Sequence, residues 1–257
     1  MSENRLIILG CRASGGVPGV GNYWGSCDPS HPKNFRTRSS MYWIVDGMKI
    51  LIDTSPDLRH QMLKNQIADI DAVLYTHAHA DHTHGIDDLR GLFFQRGQKK
   101  IPVYGAETTI RTLQKQFSYL FHGDPFSIYP QVLEPHIIHD TFSIGALNIR
   151  AFPQIHGEKL WSTGFRIGNI AYSTDFNDLE KDSLKCLTGL DLWIVDCLSI
   201  DPRPTHMHLE GALEWIAKVQ PKKAILTHMN TTLDYETLFK ILPSHVEPAY
   251  DGLTIYF

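Results

Sequence analysis

Histidine and aspartate side chains are concentrated in one short segment, Thr76-His77-Ala78-His79-Ala80-Asp81-His82. This segment directly follows an apolar run that predicts a short strand. A loop at a strand end can point alternating side chains to one side, so His77 and His79 can bind one cation. Asp81 and His82 continue around the turn and can reach a second cation. Imidazole nitrogens and carboxylate oxygens suit zinc, iron or manganese, so the segment predicts a metal site.

One segment offers too few ligands for a closed pair of ions, so other parts of the chain must supply more. Three isolated residues each follow a short apolar run: His156, Asp175 and His228. A single histidine at a strand end is more commonly a structural, hydrogen-bonded residue. The three residues share one position, however, at the C-terminal end of a predicted strand, where the edges of one sheet could converge.

Apolar runs and turn signals predict the elements that position these residues. The pair Asp46-Gly47 between two apolar runs is typical of a tight hairpin turn. Strands are predicted at 5–9, 41–45, 48–52, 71–75, 101–104, 132–138, 147–152, 163–167, 170–173, 192–195, 224–226 and 253–257. Helices are predicted at 57–65, 85–95, 108–120, 179–187, 209–219 and 235–242, with a long loop over 10–40. Each half runs from strands to helices, which indicates two face-to-face sheets with helices outside, in one domain spanning 1–257.

The composition argues against several classes of protein. Hydrophobic residues make up 42% and charged residues 20% of the 257 residues, as in globular proteins rather than disordered chains. The apolar runs are far shorter than the roughly 20 residues that span a bilayer. The first residues lack the apolar stretch of a signal peptide, so we expect a soluble, cytoplasmic protein. A net charge of −4 argues against holding long nucleic acid by charge alone.

The order of these motifs resembles the metallo-β-lactamase superfamily over residues 5–257. The shared pattern is H-x-H-x-D-H, then a histidine, then Ser-Thr-Asp, then Leu-Thr-His. This resemblance implies an α+β fold, a four-layer αββα sandwich with a two-metal site along one edge. It implies that the first ion is held by His77, His79 and His156, the second by Asp81, His82 and His228, with Asp175 bridging both. An aspartate at the bridge is unlike the true β-lactam hydrolases and like the phosphodiesterase and ribonuclease Z branches.

Further segments are similar to the PhnP-type phosphodiesterases, which act on phosphoribosyl cyclic phosphate. The similar segments are 9–18, 24–29, 36–40, 85–90 and 204–209. The chain departs from that branch in its long N-terminal loop, where PhnP carries a cysteine cluster for a structural zinc. Only Cys27 is present in this loop, so we expect no third metal of that kind, and the exact PhnP substrate becomes doubtful.

The resemblance implies a mechanism with two divalent ions, zinc or manganese. Ions about 3.5–4 Å apart lower the pKa of a shared water, and the resulting bridging hydroxide would attack phosphorus. Asp81 and Asp175 could accept the proton of that water, and His206 is the candidate proton donor to the leaving oxygen. Candidate phosphate clamps, with surface solvation or structural ion pairs as the competing interpretation, are Arg36, Arg38 and Arg90.

The favoured function is a metal-dependent phosphodiesterase that cleaves a small cyclic or nucleotide-like phosphate. One alternative is a ribonuclease Z-like nuclease for transfer RNA, although the only candidate for a basic RNA-binding arm is the short segment 95–100. The others are a thioester or lactone hydrolase and a metal-binding accessory protein without turnover. We expect a small phosphate-containing substrate and neither a membrane nor a long nucleic acid as partner. The sequence leaves a homodimer open.

Overall fold

A computed structural model describes residues 3–123 and 129–257 of the chain. Its first strand is buried on both faces. Along Arg5–Gly10, Leu6 and Ile8 belong to one apolar cluster, and Ile7 and Leu9 belong to another. Successive side chains of a strand point to opposite faces, so this strand lies between two packed layers.

The strands form two sheets. In chain order they are β1 (Arg5–Gly10), β2 (Ser40–Val45), β3 (Met48–Ile52), β4 (Ala72–Leu74), β5 (Ile101–Gly105), β6 (Leu133–Ile137), β7 (Thr141–Ile144), β8 (Leu147–Ile155), β9 (Trp161–Ile167), β10 (Ile170–Ser173), β11 (Leu192–Asp196), β12 (Lys223–Thr227), β13 (Val246–Pro248) and β14 (Leu253–Tyr256). The first sheet has the order β14-β1-β2-β3-β4-β5-β6, and the second has the order β13-β12-β11-β10-β9-β8-β7.

Helices cover the outer faces of both sheets. They are α1 (Leu58–Lys64), α2 (Ala80–Thr83), α3 (Leu89–Gln95), α4 (Glu107–Gln116), α5 (Ser118–His122), α6 (Lys181–Lys185), α7 (Leu209–Val219) and α8 (Tyr235–Ile241). Side chains of α1, α3, α4 and α5 join the apolar cluster on the outer face of the first sheet. Side chains of α7 and α8 join the cluster that also fills the space between the sheets, where Trp43 and Trp193 are fully buried. The predicted four-layer αββα sandwich is confirmed.

The local predictions differ from the structure mainly at edges and ends. The hairpin turn is confirmed, because Asp46 and Gly47 both have positive φ, of 50° and 83°. The helix predicted over 108–120 is instead two helices, which meet at Phe117. Two short strands at sheet edges, β7 and β13, were not predicted, since strands of only three or four residues carry little periodic signal. Within residues 3–123 and 129–257, no helix combines the length and the apolar character needed to cross a bilayer.

The long N-terminal loop is hydrogen-bonded to Asp234, the residue that precedes α8. Its Oδ1 accepts a hydrogen bond of 2.9 Å from the backbone N–H of Thr237 and so caps α8. Its Oδ2 accepts hydrogen bonds from Asn34 Nδ2 at 2.6 Å and from the backbone N–H of Asp28 at 3.2 Å. Burial opposes ionisation of this carboxyl group, but these hydrogen bonds outweigh it and lower the pKa of Asp234 to about 2.

We expect Asp234→Ala to lower the free energy of unfolding by about 1–2 kcal/mol at pH 7, because it removes a helix cap and the loop contacts. The folded pKa is depressed, so this stabilisation is present above the unfolded pKa of roughly 3.9 and is lost as pH falls towards about 2. Urea unfolding of both proteins at pH 7 and at about pH 3 measures the difference, which should shrink in acid. The exposed Asp201→Ala is the control, and an equal loss at both pH values would contradict the prediction.

Candidate metal centre

The seven predicted metal ligands lie together at one end of the two sheets. Strands β3 and β4 run parallel in the first sheet, and β10, β11 and β12 run parallel in the second, so their C-terminal ends share common edges. His77 and His79 follow β4, and Asp81 and His82 lie in α2, which begins one residue later. The ligands of the second sheet follow β8, β10 and β12 and are His156, Asp175 and His228.

Three histidines and one oxygen of Asp175 form the first ligand set. His79 Nδ1 lies 3.4 Å from His156 Nε2. Asp175 Oδ2 lies 3.6 Å from His77 Nε2 and 3.8 Å from His156 Nε2. Two ligand atoms on one tetrahedral zinc are about 3.3 Å apart, given metal–nitrogen distances of about 2.0–2.1 Å. These separations therefore suit a single small cation.

The other oxygen of Asp175 faces the second ligand set. Asp175 Oδ1 lies 3.1 Å from His82 Nε2 and 3.3 Å from His228 Nε2. Asp81 Oδ2 lies 3.6 Å from each of the same two nitrogens. The carboxylate of Asp175 thus stands between the two sets and offers one oxygen to each.

The backbone is strained at two of these ligands. Asp175 and His228 have positive φ angles, of 55° and 62°, a region that residues other than glycine rarely adopt. Asp53, which follows β3 beside the site, shares this feature with φ of 59°. Such strain concentrates where the surrounding structure must place a side chain for function.

A buried aspartate that sequence reasoning missed orients both ligand sets. Asp53 Oδ2 accepts hydrogen bonds from His82 Nδ1 at 2.7 Å and from Thr76 Oγ1 at 2.8 Å. Because the Thr76 hydroxyl proton is used in this way, Thr76 Oγ1 accepts from His77 Nδ1 at 3.0 Å. Both rings therefore keep their Nε2 lone pairs for a metal, which is the usual arrangement around metal-bound histidine.

Asp196, at the end of β11, orients histidine rings in the second sheet as Asp53 does in the first. Its Oδ1 lies 3.4 Å from His228 Nδ1, and its Oδ2 lies 3.4 Å from His206 Nδ1. The remaining histidine, His156, directs Nδ1 to the backbone carbonyl of Thr205 at 2.7 Å. Asp53 and Asp196 both stand at a strand end, the position that pointed to His156, Asp175 and His228. The same signal could have found them.

The residues fit a cation by two independent observations. The Nε2 atoms of His77, His82 and His228 are buried and have no hydrogen-bond partner among residues 3–123 and 129–257, although buried polar atoms normally have one. The charges are also concentrated: burial alone would raise the pKa of Asp175, but His228, His82 and His77 lower it well below its usual value. Burial lowers the pKa of His77 and so favours its neutral ring, whose one proton is on Nδ1 when Nδ1 donates to Thr76.

We expect Asp53→Asn to weaken metal binding by about 10–100-fold, the usual cost of losing a group that orients metal ligands. In Asp53 one oxygen accepts from His82 and from the Thr76 hydroxyl, and the other accepts from the Thr76 backbone N–H. An amide has a single acceptor oxygen and no negative charge, so one of these donors loses its acceptor and the ring of His82 is held less firmly. Competition with a chelator measures the affinity, and melting of the metal-free protein checks the fold. Unchanged metal affinity in a folded variant would contradict the prediction.

The ligand sets open into a cavity of about 520 Å³. His206 lines it, with its ring centroid 4.8 Å from that of His156 and stacked at 4.9 Å on that of His228. His206 Nδ1 also lies 3.9 Å from Asp175 Oδ2, so His206 stands beside the ligand sets. A second cavity of about 420 Å³ adjoins the first at His79 and His156 and is lined by Trp161.

The structure places the three candidate phosphate clamps away from the cavity lining. Arg36 is buried and donates to the carbonyl of Leu233 at 2.7 Å and to Asn34 Oδ1 at 3.1 Å. Arg38 pairs with Asp57 through two hydrogen bonds, of 2.7 and 2.6 Å. The third, Arg90, lies 3.8 Å from Asp87 and stacks over the ring of Tyr129.

The competing interpretation, structural pairing, therefore describes these three arginines better than phosphate binding does. Two other arginines line the cavity instead, Arg12 and Arg203. No spacing rule singled them out, because which guanidinium groups lack a partner is decided by the tertiary structure.

Comparison with known proteins matches this geometry to a family. The model of the beta-lactamase superfamily domain matches residues 48–229. A crystal structure of a diphosphatase from the PhnP family has a TM-score of 0.91 and 36% identity, over 100% of this chain and 98% of that one.

Two curated relatives show how widely the similarity spreads. The octanoyltransferase of Porphyromonas gingivalis is 34% identical over 97% of this chain, which spans 51% of that relative's length. A ribonuclease Z of Staphylococcus haemolyticus is 23% identical over 73% of this chain and 80% of the relative. The chain belongs to the metallo-β-lactamase superfamily and is a PhnP-type member of it.

Proposed function

We propose that this protein is a dinuclear phosphodiesterase that cleaves a small phosphate diester. The observation that carries the proposal is the carboxylate of Asp175, whose two oxygens each face a separate set of histidines. Two-metal sites of this kind are typical of phosphoryl transfer, where both the attacking and the leaving oxygen need stabilisation. The name of the PhnP-family relative, a diphosphatase, supports chemistry at phosphorus.

The two ligand sets would hold divalent ions, which would lower the pKa of water and offset charge on the phosphoryl group. Asp81 accepts the proton that the attacking water loses, since its carboxylate borders the cavity and is only partly used by His82 and His228. His206 donates a proton to the leaving oxygen. The neighbouring carboxylate of Asp196, 3.4 Å from His206 Nδ1, fixes the orientation of the ring.

The size of the site supports a small substrate. The cavity of about 520 Å³ is in the range of small-molecule sites rather than of extended nucleic-acid grooves. The segment between α3 and β5, residues 96–100, is a short turn, which gives no protruding arm for transfer RNA. Both features favour a small diester over the ribonuclease Z alternative.

A second candidate is a thioester hydrolase. The observation in its favour is the relative named octanoyltransferase, although the chain spans only about half of that protein. The same site would polarise a thioester carbonyl in place of a phosphoryl group. An octanoyl thioester is therefore the substrate that competes most directly with a phosphodiester.

The test is a comparison of substrates on one protein preparation loaded with zinc or manganese. We expect bis(p-nitrophenyl) phosphate to be cleaved, with kcat/KM well above that for an octanoyl thioester or for a precursor transfer RNA. Preference for the thioester would favour the second candidate, and trimming of the precursor would favour the nuclease. Full metal occupancy without turnover of the diester, the thioester or the precursor would indicate a metal-binding accessory protein.

A further inference from the structure

Arg12 is a buried cation that has no ion-pair or hydrogen-bond partner for its side chain among the described residues. Its backbone is fixed, because its N–H donates to the carbonyl of Thr37 and its carbonyl accepts from the N–H of Ser39, both at 2.9 Å. The residue is only 8% exposed. Within residues 3–123 and 129–257, its guanidinium group forms no hydrogen bond, and its Nε is fully shielded from solvent. No carboxylate in these residues lies within 4.0 Å of it, although the charge of Asp81 acts on it from a greater distance.

Burying the Arg12 charge without a partner costs free energy in the protein without substrate. A buried charge is normally paired, since removing a charged group from water costs several kcal/mol when nothing replaces the water. The cost is increased by Arg36, a second buried arginine whose partners are a carbonyl and an amide rather than a carboxylate. Burial, and after it the charge of Arg36, lowers the pKa of Arg12 to about 10.

The position of Arg12 shows where a partner would come from. Arg12 lines the same cavity as His79, Asp81 and His206. Gly15 lines it too, and a Cβ at that position would lie 3.2 Å from an Arg12 terminal nitrogen, so the absence of a side chain leaves room for the guanidinium group. A further arginine of the cavity wall, Arg203, is exposed and likewise has no ion-pair partner in the described part of the chain.

We propose that Arg12 binds a second anionic group of the substrate, a phosphate or a carboxylate, separate from the diester that is cleaved. This inference rests on the proposed function and adds to it a substrate that carries charge at two places. A guanidinium group recognises either anion through paired, charge-assisted hydrogen bonds. The metal ligands select the diester, and Arg12, with Arg203 at the cavity wall, selects what is attached to it.

Chromogenic diesters test this directly. The probes are alkyl 4-nitrophenyl phosphates whose alkyl chain, of two to five carbons, ends in a methyl group, a carboxylate or a phosphate. We expect the wild type to have a lower KM for one charged series than for the methyl-ended series, and the better series identifies the anion. In Arg12→Met, KM for that series should rise about 10–100-fold, while kcat and KM for the methyl-ended probes stay within about twofold.

Thermal stability separates binding from a structural role. Removing an unpaired buried charge relieves a cost, so the Tm of Arg12→Met without ligand should equal or exceed that of the wild type. The matched control is Arg96→Met, since Arg96 is partly buried, donates to the carbonyl of Ile70 at 2.6 Å and lies 3.4 Å from Asp69. Arg96→Met should lower Tm and leave every KM unchanged.

Several results would overturn the inference while leaving the phosphodiesterase intact. They are equal KM values for charged and methyl-ended probes in the wild type, equal changes for all probes in Arg12→Met, or a clear loss of Tm in that variant. If the wild type cleaves no diester, the proposed function fails instead. Calorimetry then still decides the role of Arg12, because the phosphate-ended probe should bind the wild type about 10–100-fold more tightly than Arg12→Met.

Discussion

Asp175→Asn should reduce kcat/KM for bis(p-nitrophenyl) phosphate by about a thousandfold or more and should lower the bound metal to less than two equivalents. The side chain keeps its size, so the change is confined to charge and to one of the two oxygens. Asp175 Oδ2 faces His77 and His156, and Oδ1 faces His82 and His228. An amide offers a single oxygen and no negative charge, so it cannot serve both sets.

The measurements for Asp175→Asn are steady-state kinetics and elemental analysis of the dialysed protein. The control is Asp182→Asn, an exposed aspartate on α6 whose side chain pairs only with Lys185 at 2.7 Å. It should keep full activity and both metals. Two bound metals and a rate within about tenfold of the wild type in Asp175→Asn would show that Asp175 does not bridge.

His79→Ala should lower kcat/KM by about a hundredfold to a thousandfold without destabilising the metal-free protein. His79 is the most exposed of the seven predicted ligands, so truncating it leaves the core packing intact. Its backbone carbonyl, which accepts from the Thr83 hydroxyl and from the His82 N–H, is unaffected by the change. The loss should therefore fall on the first ligand set alone.

Metal content, activity and melting temperature are compared for His79→Ala and for a matched histidine variant. His84→Ala is the match, because His84 is also exposed and lies near in sequence, but its ring packs on Phe117 outside the cavity. We expect His84→Ala to retain activity and metal. Equal activity in both variants would remove His79 from the site.

The fold could be predicted where a pattern repeats along the chain. The alternation of side chains in β1 and the Asp46-Gly47 turn depend on local geometry, so the sequence alone predicts them. The helix α7 is found at its predicted bounds, 209–219. The break at Phe117 and the edge strands β7 and β13 depend on neighbours that a single segment does not contain. Tertiary contacts decide such details.

The candidate site could be predicted for those residues that lie at the ends of strands. The position after a short apolar strand led to His156, Asp175 and His228, and it could also have led to Asp53 and Asp196. The position of a residue along the chain could not separate the arginines that line the cavity from those that form structural ion pairs. Arg38 pairs with Asp57, 19 residues away in the chain, whereas Arg12 lines the cavity and has no ion-pair partner in the described part of the structure. Neither fact has a local signature in the sequence.

The most direct test is to locate the metals by anomalous diffraction from crystals of the zinc-loaded protein. We expect two peaks about 3.5–4 Å apart. One should contact His77, His79 and His156 and the other the second ligand set, with Asp175 touching both. A single peak, or peaks that Asp175 does not contact, would contradict the dinuclear centre from which the proposed chemistry follows.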